Sequence, residues 1–548
     1  MSSTNKMSRR SFLKTTGGGA IGLGAAAAAQ PLAALADSTA QEWDEEYDVV
    51  IVGAGIAGLA AASTVITEGQ GLSCLLIEKE DSAAGCSPYC HGDALYTTDV
   101  EGAFQYLREM QGADSYQVTP DAPLHAFAEG IAENLTWIKS LGALDEELVT
   151  QTSEDIKTDG DAREATSSLL SFAPEWPEYT HSRCVAGWWF NAENENAAHA
   201  HVWNFLDEYV SNHADAVEYR KSCALEELVQ DPETKAILGL VAGGLRIKAN
   251  KGVVMCCGGF ESDPWMKQNY IGSSAIIESG GYGNTGDGHR ACQKIGADFW
   301  HMDTFAGPWM GGRDTADTMW SNVQPDTRLY KGHGITVGIN GRRFYMDYDG
   351  HKVFDEVSQS TNDPATLPFH VGFRHGPSQY GGEWRSLPLP SKAWYIFDQD
   401  GLDNGALAPL AAENPVEDGW VYTADTIEEL AEQIGIPAEE LTKTVDFWNE
   451  TCDRGEDLAF YRPASTLVKI EKAPFYAQLC RPGMLNTDGG PVRDEHARIL
   501  DPDGNPIPNL YSAGEFGSMF GRFYQGNGNV SECLVFGRIA IREIIAAE

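Results

Sequence analysis

The sequence is poor in basic residues: 39 Lys and Arg stand against 80 Asp and Glu in 548 residues. Residues 1–36 hold four of the basic residues and no acidic ones, so the remainder carries 35 basic against 80 acidic residues, a net charge of −45. Such a surface repels nucleic acid and anionic lipid, and we predict no nucleic-acid partner. It is suited to steering a basic electron-carrier protein, although solubility alone explains it equally well.

Long apolar runs and closely spaced metal-binding or haem-binding motifs are also missing. No apolar run of roughly 18 residues follows residue 36, so we predict a protein that does not span a membrane. The eleven cysteines include no C-x-x-C-H motif, which excludes a covalently bound c-type haem. The close pair Cys86 and Cys90 in "CSPYC" fits a disulfide, a metal site or simple packing. We favour packing and predict no metal site.

Residues 1–36 have the composition of a cleavable export signal. Arg9 and Arg10 in "SRRSFLK" precede an uncharged Gly/Ala run and an "ALA" sequence at 34–36. A basic region, a short apolar region and an A-x-A site are typical of a signal peptide, and the paired arginines indicate the twin-arginine pathway. That pathway exports folded proteins, so we expect a location in the periplasm or at the extracytoplasmic cell surface. A basic disordered tail is the alternative interpretation.

The clearest motif spans residues 47–80. "DVVIV" is a continuous β-branched run typical of a buried parallel strand, and Gly53, Gly55 and Gly58 follow it as G-x-G-x-x-G. A helix and a second strand, "CLLIE", are predicted next, with Glu78 twenty residues after Gly58. The glycines permit the tight turn, the approach of a pyrophosphate and close packing of the helix, whose N-terminus attracts phosphate. Glu78 can accept hydrogen bonds from a ribose, so the complete unit predicts a dinucleotide site.

Other segments outline a large α/β protein of two or more domains, as a length of 548 residues indicates. "IKANKGVVMCCGGFES" predicts a strand that ends at two glycines, and "IPNLYSAGEFG" predicts a strand that enters a glycine turn. Residues 423–455 predict a helix pair, with Thr426 or Asp425 capping the first helix and Pro437 starting the second.

The order and spacing of these segments resemble the flavoprotein superfamily of fumarate reductase and 3-ketosteroid Δ1-dehydrogenase. The matching stretches are "VVIVGAGIAGLAAA", "AAGCSPYCHGD", "VVMCCGG", "NTGDG", "GINGRRF", "PFYA", "LNTDGGPVRDEHARILDPDGNPIPNLYSAGE" and "GNGNVSECLVFGRIA". The resemblance implies an α/β fold with an α+β cap: a Rossmann-like FAD-binding domain with an inserted cap domain, and the active site in the cleft between them. It also implies FAD as the cofactor, held without a covalent bond.

The resemblance divides the chain and assigns the cofactor contacts. Residues 1–36 are the expected signal peptide, 37–300 the first part of the FAD-binding domain, 301–455 the inserted cap that binds substrate, and 456–548 the C-terminal part of the FAD-binding domain. The residues that the resemblance places at FAD are Gly53, Gly55, Gly58, Glu78, Lys79, Gly85, Cys86, Ser87, Gly92, Asp93, Ala224, Gly258, Gly259, Asp287, Glu515, Asn529 and Val530.

The residues expected around the substrate depart from the fumarate reductase pattern. Those enzymes hold two carboxylates with histidines and arginines. In this chain Leu485-Asn486 stands where those enzymes have a His-His pair. The position of their His-Pro pair corresponds to a place near Pro308-Trp309, and the position of their carboxylate-clamping arginine is at or beside Tyr524. A pocket without those groups cannot readily offset the desolvation of a dianion. Fumarate and succinate are therefore expected to be poor substrates, unless Arg522 supplies a cation.

Tyr524 and Gly528 instead repeat a Tyr and Gly spacing of the ketosteroid dehydrogenases. In that family a Tyr O–H and a Gly N–H donate to the ketone of the substrate, which stabilises an enolate. The resemblance implies the same role here, whereas packing of Tyr524 against the flavin or the cap is the alternative. His351 falls where the superfamily has a catalytic Arg or Tyr, so it is the expected proton donor or acceptor, with Tyr348 as the second candidate. The competing interpretation makes His351 an ordinary surface residue.

Taken together, these features predict an exported FAD-dependent reductase that saturates an activated C=C bond of a small organic electron acceptor, such as an enone, enoate or unsaturated lactone. Its electrons are expected from a separate donor, a membrane-anchored cytochrome or a quinol-linked protein. One alternative is a dehydrogenase that introduces a C=C bond next to a ketone, and another is a dicarboxylate reductase like fumarate reductase. Outside the enzymes, the alternatives are an electron-relay flavoprotein and an exported binding protein.

Overall fold

The computed structural model describes most of the chain after residue 41. The described residues are 42–81, 85–90, 92–111, 119–150, 180–181, 184–190, 201–278, 281–306, 309–312, 324–325, 333–344, 392–404, 414–460, 462, 464–521 and 524–547. The expectations for the export signal and for Arg522, Tyr348 and His351 lie outside these residues.

The described part contains 22 strands and ten α-helices. The strands are β1 Glu45–Val52, β2 Cys74–Ile77, β3 Ala94–Tyr96, β4 Leu148–Thr150, β5 Ala186–Phe190, β6 Val217–Arg220, β7 Leu225–Gln230, β8 Ile237–Ala242, β9 Leu245–Met255, β10 Ile277–Glu278, β11 Phe299–Trp300, β12 Phe305–Ala306, β13 Trp309–Gly312, β14 Gln324–Pro325, β15 Gly334–Gly338, β16 Ala393–Phe397, β17 Val421–Ala424, β18 Phe475–Met484, β19 Asn486–Thr487, β20 Gly490–Pro491, β21 Arg498–Leu500 and β22 Pro506–Ser512. The helices are α1 Ile56–Glu68, α2 Val100–Met110, α3 Asp121–Ser140, α4 His201–Ser211, α5 Pro264–Met266, α6 Asp287–Lys294, α7 Gln399–Asp403, α8 Ile427–Ile434, α9 Ala438–Arg454 and α10 Gly528–Ala546.

Five parallel strands form the centre of the largest sheet. Their order is β6-β2-β1-β9-β22, with β21 antiparallel beside β22 and the β7–β8 hairpin antiparallel beside the first half of β9. Val50 of β1 pairs with Leu75 of β2 on one side and with Val253 of β9 on the other. Val49 to Val52 are at most 5% exposed, as expected for a parallel strand that is covered on both faces. The α/β, Rossmann-like part of the prediction is therefore confirmed.

Two helices run from the carboxyl edge of this sheet. Helix α1 follows β1 directly, and α10 follows β22 after a loop. They pack closely, because a Cβ atom added at Gly537 of α10 would lie 2.7 Å from the carbonyl oxygen of Ala57 in α1. Parallel strands end at the same edge, so both helix N-termini lie on the side of the sheet where α/β proteins bind ligands.

A second sheet is mainly antiparallel and has β18 at its centre. Its order is β14-β13-β18-β16-β15, and β10 and β17 also pair with β18. The strands β10 and β18 lie outside residues 301–455, so this sheet extends past both expected boundaries of the inserted cap. The inserted part thus recruits strands from both flanking segments.

The helix pair predicted near residue 440 is confirmed as α8 and α9. The N–H of Glu429 donates to the hydroxyl of Thr426 at 3.1 Å, so Thr426 is the N-cap of α8, and Pro437 directly precedes α9. The two helices cover β15, β16 and β18 through a core that includes Leu430 and Trp448. None of the helices in the described part is both long and apolar enough to cross a membrane.

Two short ladders join the two parts of the molecule. Strand β11 pairs antiparallel with β20, and β12 pairs antiparallel with β19. They hold the segment that leads into the second sheet against residues 486–491, which return towards the parallel sheet. This junction brings residues that are nearly 200 positions apart in sequence to the same place.

We predict that Gly58→Ala destabilises the protein, because an added Cβ would overlap with the carbonyl oxygen of Gly53. Relieving this overlap requires α1 to move away from the turn after β1, which we expect to cost about 1–3 kcal/mol of the free energy of unfolding. Urea denaturation measures the loss. Gly55→Ala is the matched control, since Gly55 has φ −70° and its Cβ would meet the rotatable Ser87 hydroxyl at 3.0 Å. Equal losses in both variants would contradict this account.

Candidate functional site

A cleft of about 860 Å³, which includes space open to solvent, lies at the carboxyl edge of the parallel sheet. A volume of this size is ordinary for a cofactor site. Its lining residues come from the turn after β1, the end of β2, the segment around Ser87, the end of β9, the loop before α6 and the loop after β22. The cleft therefore occupies the position that the G-x-G-x-x-G motif predicts.

The turn after β1 and the first turn of α1 line this cleft. Gly53 has φ +101°, a conformation that glycine adopts without strain. The N–H of Ala54 donates to Oε2 of Glu78 at 3.0 Å, and the N–H of Ile56 donates to Oγ of Ser87 at 3.0 Å. Helix α1 has no acidic residue in its first turn, so its positive end is not neutralised by its own side chains.

These residues fit FAD. A helix N-terminus with backbone N–H donors suits a pyrophosphate, and Gly55 leaves room for its approach. Glu78 directly follows β2 and is only 8% exposed. A carboxylate at this position suits the ribose of the adenosine. The cleft thus offers the donors and the acceptor that the dinucleotide needs.

The opposite wall of the cleft is polar. Nζ of Lys79 lies 2.7 Å from Oδ2 of Asp287 and 2.8 Å from Oγ1 of Thr285, so the two residues predicted at the cofactor form an ion pair with each other. The side chain of Lys79 is 24% exposed and that of Asp287 is 46% exposed. This pair holds the N-terminus of α6 against the end of β2.

Ten of the residues predicted at FAD line the cleft: Gly53, Gly55, Glu78, Lys79, Gly85, Cys86, Ser87, Gly258, Asp287 and Glu515. The other seven, Gly58, Gly92, Asp93, Ala224, Gly259, Asn529 and Val530, lie outside its lining. Gly58 packs α1 against the turn, and Ala224 sits between two lining residues, Cys223 and Leu225. The individual contacts with FAD stay predictions.

Sequence reasoning missed most of the cysteines in the lining. Five thiols line the cleft, those of Cys86, Cys223, Cys256, Cys257 and Cys533, and Cys86 alone was predicted there. All eleven cysteines are free, including Cys86 and Cys90, for which we favour a packing role. Small apolar side chains fit between a sheet edge and a flat ligand, and no spacing in the sequence marks them. The signal that could have identified these cysteines was their position beside residues of the predicted motifs.

Asn284 was missed as well, and it links three parts of the wall. Its Nδ2 donates to Oε1 of Glu515 at 2.9 Å and lies 3.3 Å from Sγ of Cys86. Gly258 has φ +64°, and a Cβ there would lie 2.5 Å from Oδ1 of Asn284. The position of Asn284 in the "NTGDG" stretch was the signal that could have identified it.

Two carboxyl groups meet beside this wall. Burial raises the pKa of Glu261 to about 7, and burial together with the nearby Glu261 raises the pKa of Glu515 well above its usual range. Together with Cys86 they bring three potential metal ligand atoms within 4.8 Å of one another. Burial and their mutual repulsion hold both carboxyls towards their neutral forms. The arrangement therefore favours a pair of carboxyls that share a proton.

Tyr524 lies in the loop four residues before α10 and is only 6% exposed, with its ring edge-to-face against Phe520 at a centroid distance of 5.3 Å. Its hydroxyl oxygen accepts a hydrogen bond from the N–H of Asn529 at 3.2 Å. Gly528 is adjacent, because a Cβ there would lie 3.3 Å from Cε2 of Tyr524. The N–H of Gly528, however, donates to the carbonyl of Gln525 at 2.8 Å.

The role expected for Gly528 therefore needs correction. The turn that starts α10 uses the Gly528 N–H internally, so in this structure it is not the second donor beside the Tyr524 hydroxyl. The backbone N–H of Asn529 donates to the Tyr524 hydroxyl. It therefore polarises that hydroxyl and does not act beside it as a second donor to the substrate. The role of Tyr524 itself stays a prediction.

A polar network surrounds the start of α10. Ser518 donates to Oε2 of Glu532 at 2.7 Å, and the Met519 N–H donates to Oε1 of Glu532 at 2.7 Å. Glu532 also forms an ion pair with Arg493, and both side chains are fully buried. Burial raises the pKa of Glu532 although Arg493 opposes the shift. This network holds the loop after β22 against α10.

Comparisons with known proteins agree with this site. The FAD binding domain family matches residues 48–531. Digoxin reductase of Eggerthella lenta is 27% identical over 598 aligned positions, which cover 99% of this chain and 97% of the relative. Among solved structures, 3-ketosteroid Δ1-dehydrogenase from Sterolibacterium denitrificans gives a TM-score of 0.64 at 21% identity, covering 92% of this chain and 100% of its own. A flavocytochrome c3 fumarate reductase gives 0.62 at 21% identity, covering 94% and 81%.

The two solved structures share the fold, and the family match covers the glycine turn, the cleft and the start of α10. FAD is therefore the cofactor of this cleft. The chain belongs to the FAD binding domain family and is an FAD-dependent oxidoreductase.

Proposed function

We propose that the protein reduces a C=C bond conjugated to a carbonyl group in a neutral or weakly charged organic acceptor. The observation that carries this proposal is the buried hydroxyl of Tyr524, which the N–H of Asn529 polarises at the N-terminus of α10. Cys533 of α10 lines the FAD cleft, which supports a substrate position between Tyr524 and the cofactor. The similarity to digoxin reductase over nearly the whole chain supports a reductase.

The chemistry requires a hydride, a proton and stabilisation of an enolate. Reduced FAD, when bound, supplies the hydride to the β-carbon. As negative charge develops on the carbonyl oxygen, the Tyr524 O–H donates to it, and the Asn529 N–H strengthens that donor. The positive end of α10, a helix of 19 residues, favours the same charge.

The charges around Tyr524 favour a neutral substrate. The buried groups near it include the carboxyls of Asp488 and Glu532, and Arg493 is already paired with Glu532. Asn486, 6% exposed, occupies the position where fumarate reductases carry a histidine. A dicarboxylate would meet carboxyl groups and no unpaired cation among the described residues here, so its desolvation would not be offset.

The remaining parts of the proposal concern the proton, the electrons and the location. His351, with Tyr348 as the second candidate, is proposed to protonate the α-carbon, and Arg522 is the proposed source of a cation if a dicarboxylate proves to be the better substrate. A separate electron donor, a membrane-anchored cytochrome or a quinol-linked protein, is proposed to reduce FAD. The excess of acidic residues supports a basic docking surface on that donor. Export through the twin-arginine pathway is proposed from the "SRRSFLK" sequence.

The first test is a panel of electron acceptors. Enzyme reduced with viologen under anaerobic conditions should be reoxidised faster by an enone or an unsaturated lactone than by fumarate, as measured by kcat/KM. If fumarate gives the highest kcat/KM, the charge argument fails. Saturated ketones with an artificial electron acceptor test the opposite direction, and faster desaturation than reduction would favour a dehydrogenase.

Tyr524→Phe removes one hydroxyl and keeps the ring, so flavin content should not change. If Tyr524 donates to the enolate oxygen, kcat for an enone should fall by about 10²–10³-fold, or about 3–4 kcal/mol, as for one lost oxyanion-hole donor. Tyr422→Phe is the matched control, because Tyr422 is 39% exposed on β17 and lies away from the cleft. A fully flavinated Tyr524→Phe enzyme within twofold of wild type would make Tyr524 a packing residue.

Replacing Arg9 and Arg10 together with lysine should leave the protein in the cytoplasm, folded and loaded with FAD. The twin-arginine pathway requires the arginine pair, whereas the positive charge alone is retained in this variant. Cell fractionation followed by flavin fluorescence measures the outcome. Unchanged export of the variant would indicate a different pathway.

A further inference from the structure

Asp488 is a buried carboxyl group at the junction between the two sheets. It follows β19 and is 0% exposed. Its backbone N–H donates to the carbonyl of Thr304 at 3.0 Å, and its backbone carbonyl accepts from the N–H of Ser518 at 2.9 Å. Three segments that are distant in the sequence therefore fix its position.

The two carboxyl oxygens of Asp488 have different surroundings. Oδ1 accepts from Nδ2 of Asn486 at 3.1 Å and from Nδ2 of Asn529 at 3.4 Å. Oδ2 is buried and has no hydrogen-bond partner among the described residues. An ionised carboxylate with a bare oxygen in a dry site is costly, whereas a neutral acid with its proton on Oδ2 leaves both amide hydrogen bonds intact.

The charged groups around Asp488 act in the same direction. Glu532 on α10 and Glu261 after β9 disfavour its negative charge, and burial is the larger cause that raises its pKa well above the usual range. Glu515 adds a further carboxyl group nearby. Arg493 forms an ion pair with Glu532, and Nδ1 of His301 lies 2.8 Å from the carbonyl oxygen of Ser518.

Asp488 is two hydrogen bonds away from the Tyr524 hydroxyl. Asn529 connects them, since its side chain donates to Oδ1 of Asp488 and its backbone N–H donates to Tyr524. The side-chain oxygen of Asn529 lies 3.4 Å from the hydroxyl oxygen of Ser518, whose proton is donated to Glu532, so the hydrogen bond to Asp488 is what orients the Asn529 amide. The carboxyl group thus takes part in holding the residue that polarises Tyr524.

We propose that Asp488 is a positioning residue that supports Tyr524 only while its carboxyl group is neutral. This inference rests on the proposed reduction of a conjugated C=C bond. A neutral Asp488 accepts from Asn529 and adds no charge, whereas an ionised Asp488 places a second negative charge in the network where the enolate forms. In a dry site that repulsion is strong, so ionisation opposes the reaction without removing any contact.

The test compares Asp488→Asn with wild type across pH. In the wild-type enzyme, kcat for an enone is expected to be full while Asp488 is protonated and to fall as pH rises through its raised pKa. Asparagine is neutral at every pH and has the same shape, so kcat near neutral pH should stay within about threefold, and the alkaline fall should disappear or move up by about one pH unit or more. Asp503→Asn, in the exposed turn between β21 and β22, should leave the profile of the wild type unchanged.

A second measurement does not depend on turnover. Wild-type holoenzyme labelled with ¹³C at the aspartate carboxyl carbons should show the infrared carbonyl band of a protonated aspartic acid at neutral pH, and the band should vanish over the same pH range in which kcat falls. Asp488 is suited to this label, because burial raises its pKa, whereas the pKa values of Asp99, Asp231, Asp263, Asp457 and Asp501 are all shifted downwards. The measurement also decides the case if Asp488→Asn does not fold.

Three results would overturn the inference. A flavinated Asp488→Asn enzyme with kcat lowered by 100-fold or more would mean that Asp488 itself donates the proton. An unmoved alkaline limb would mean that Asp488 is merely structural, and the absence of the labelled band at neutral pH would mean that it is ionised. Failure of the proposed function looks different: no acceptor would reoxidise the wild-type enzyme, while the labelled band would still be present.

Tyr524→Phe provides the final control on the connection. If Asp488 acts in part through Asn529 and Tyr524, then adding Asp488→Asn to Tyr524→Phe should change kcat and its pH profile less than the same substitution does in the wild-type enzyme, and the direct repulsion between an ionised Asp488 and the enolate accounts for the remainder. The interaction between the two substitutions in this double-mutant cycle isolates the part of the pH effect that passes through Tyr524. Fully additive effects would contradict the connection.

Discussion

The close contact of Gly58 with the carbonyl oxygen of Gly53 sets the geometry on which the rest of the site depends. It allows the first turn of α1 to lie directly on the turn after β1, where any side chain would hold the helix away. The N-terminus of α1 then meets the cleft with its backbone N–H groups. Gly537 likewise allows α10 to pack closely against Ala57 of α1. The N-terminus of α10, and Tyr524 in the loop before it, therefore lie at the same edge of the sheet.

The inside of this acidic protein is controlled by desolvation. Glu261, Glu515 and Asp488 are buried near one another, and burial is the largest cause of the raised pKa in each of them. Glu532 differs from these three carboxyls because it forms an ion pair with the buried guanidinium of Arg493. In a protein with such an excess of carboxylates, keeping interior carboxyls neutral lets them serve as hydrogen-bonding groups next to a site that also has to accept negative charge.

Much of the fold followed from local patterns. The buried strand, the glycine turn, α1 and the end of β2 appear where the motif predicts them, because their signal lies within about thirty consecutive residues. The pair α8 and α9 was equally accessible through Thr426 and Pro437. Local patterns did not show that the second sheet extends beyond the inserted part. Its central strand, β18, comes from beyond residue 455. Strand partners across such distances leave no trace in local periodicity.

The functional residues divide in the same way. The sequence by itself determined the nucleotide unit of Gly53, Gly55, Gly58 and Glu78 and the acidic character of the chain, because both depend on residue type and short spacing. Only the tertiary structure decided that the Gly528 N–H turns back to Gln525, that thiols line the cleft, and that Asp488 joins Asn529. These features depend on which backbone groups remain unpaired and on which side chains leave water together. Both are set by long-range packing and not by the order of neighbouring residues.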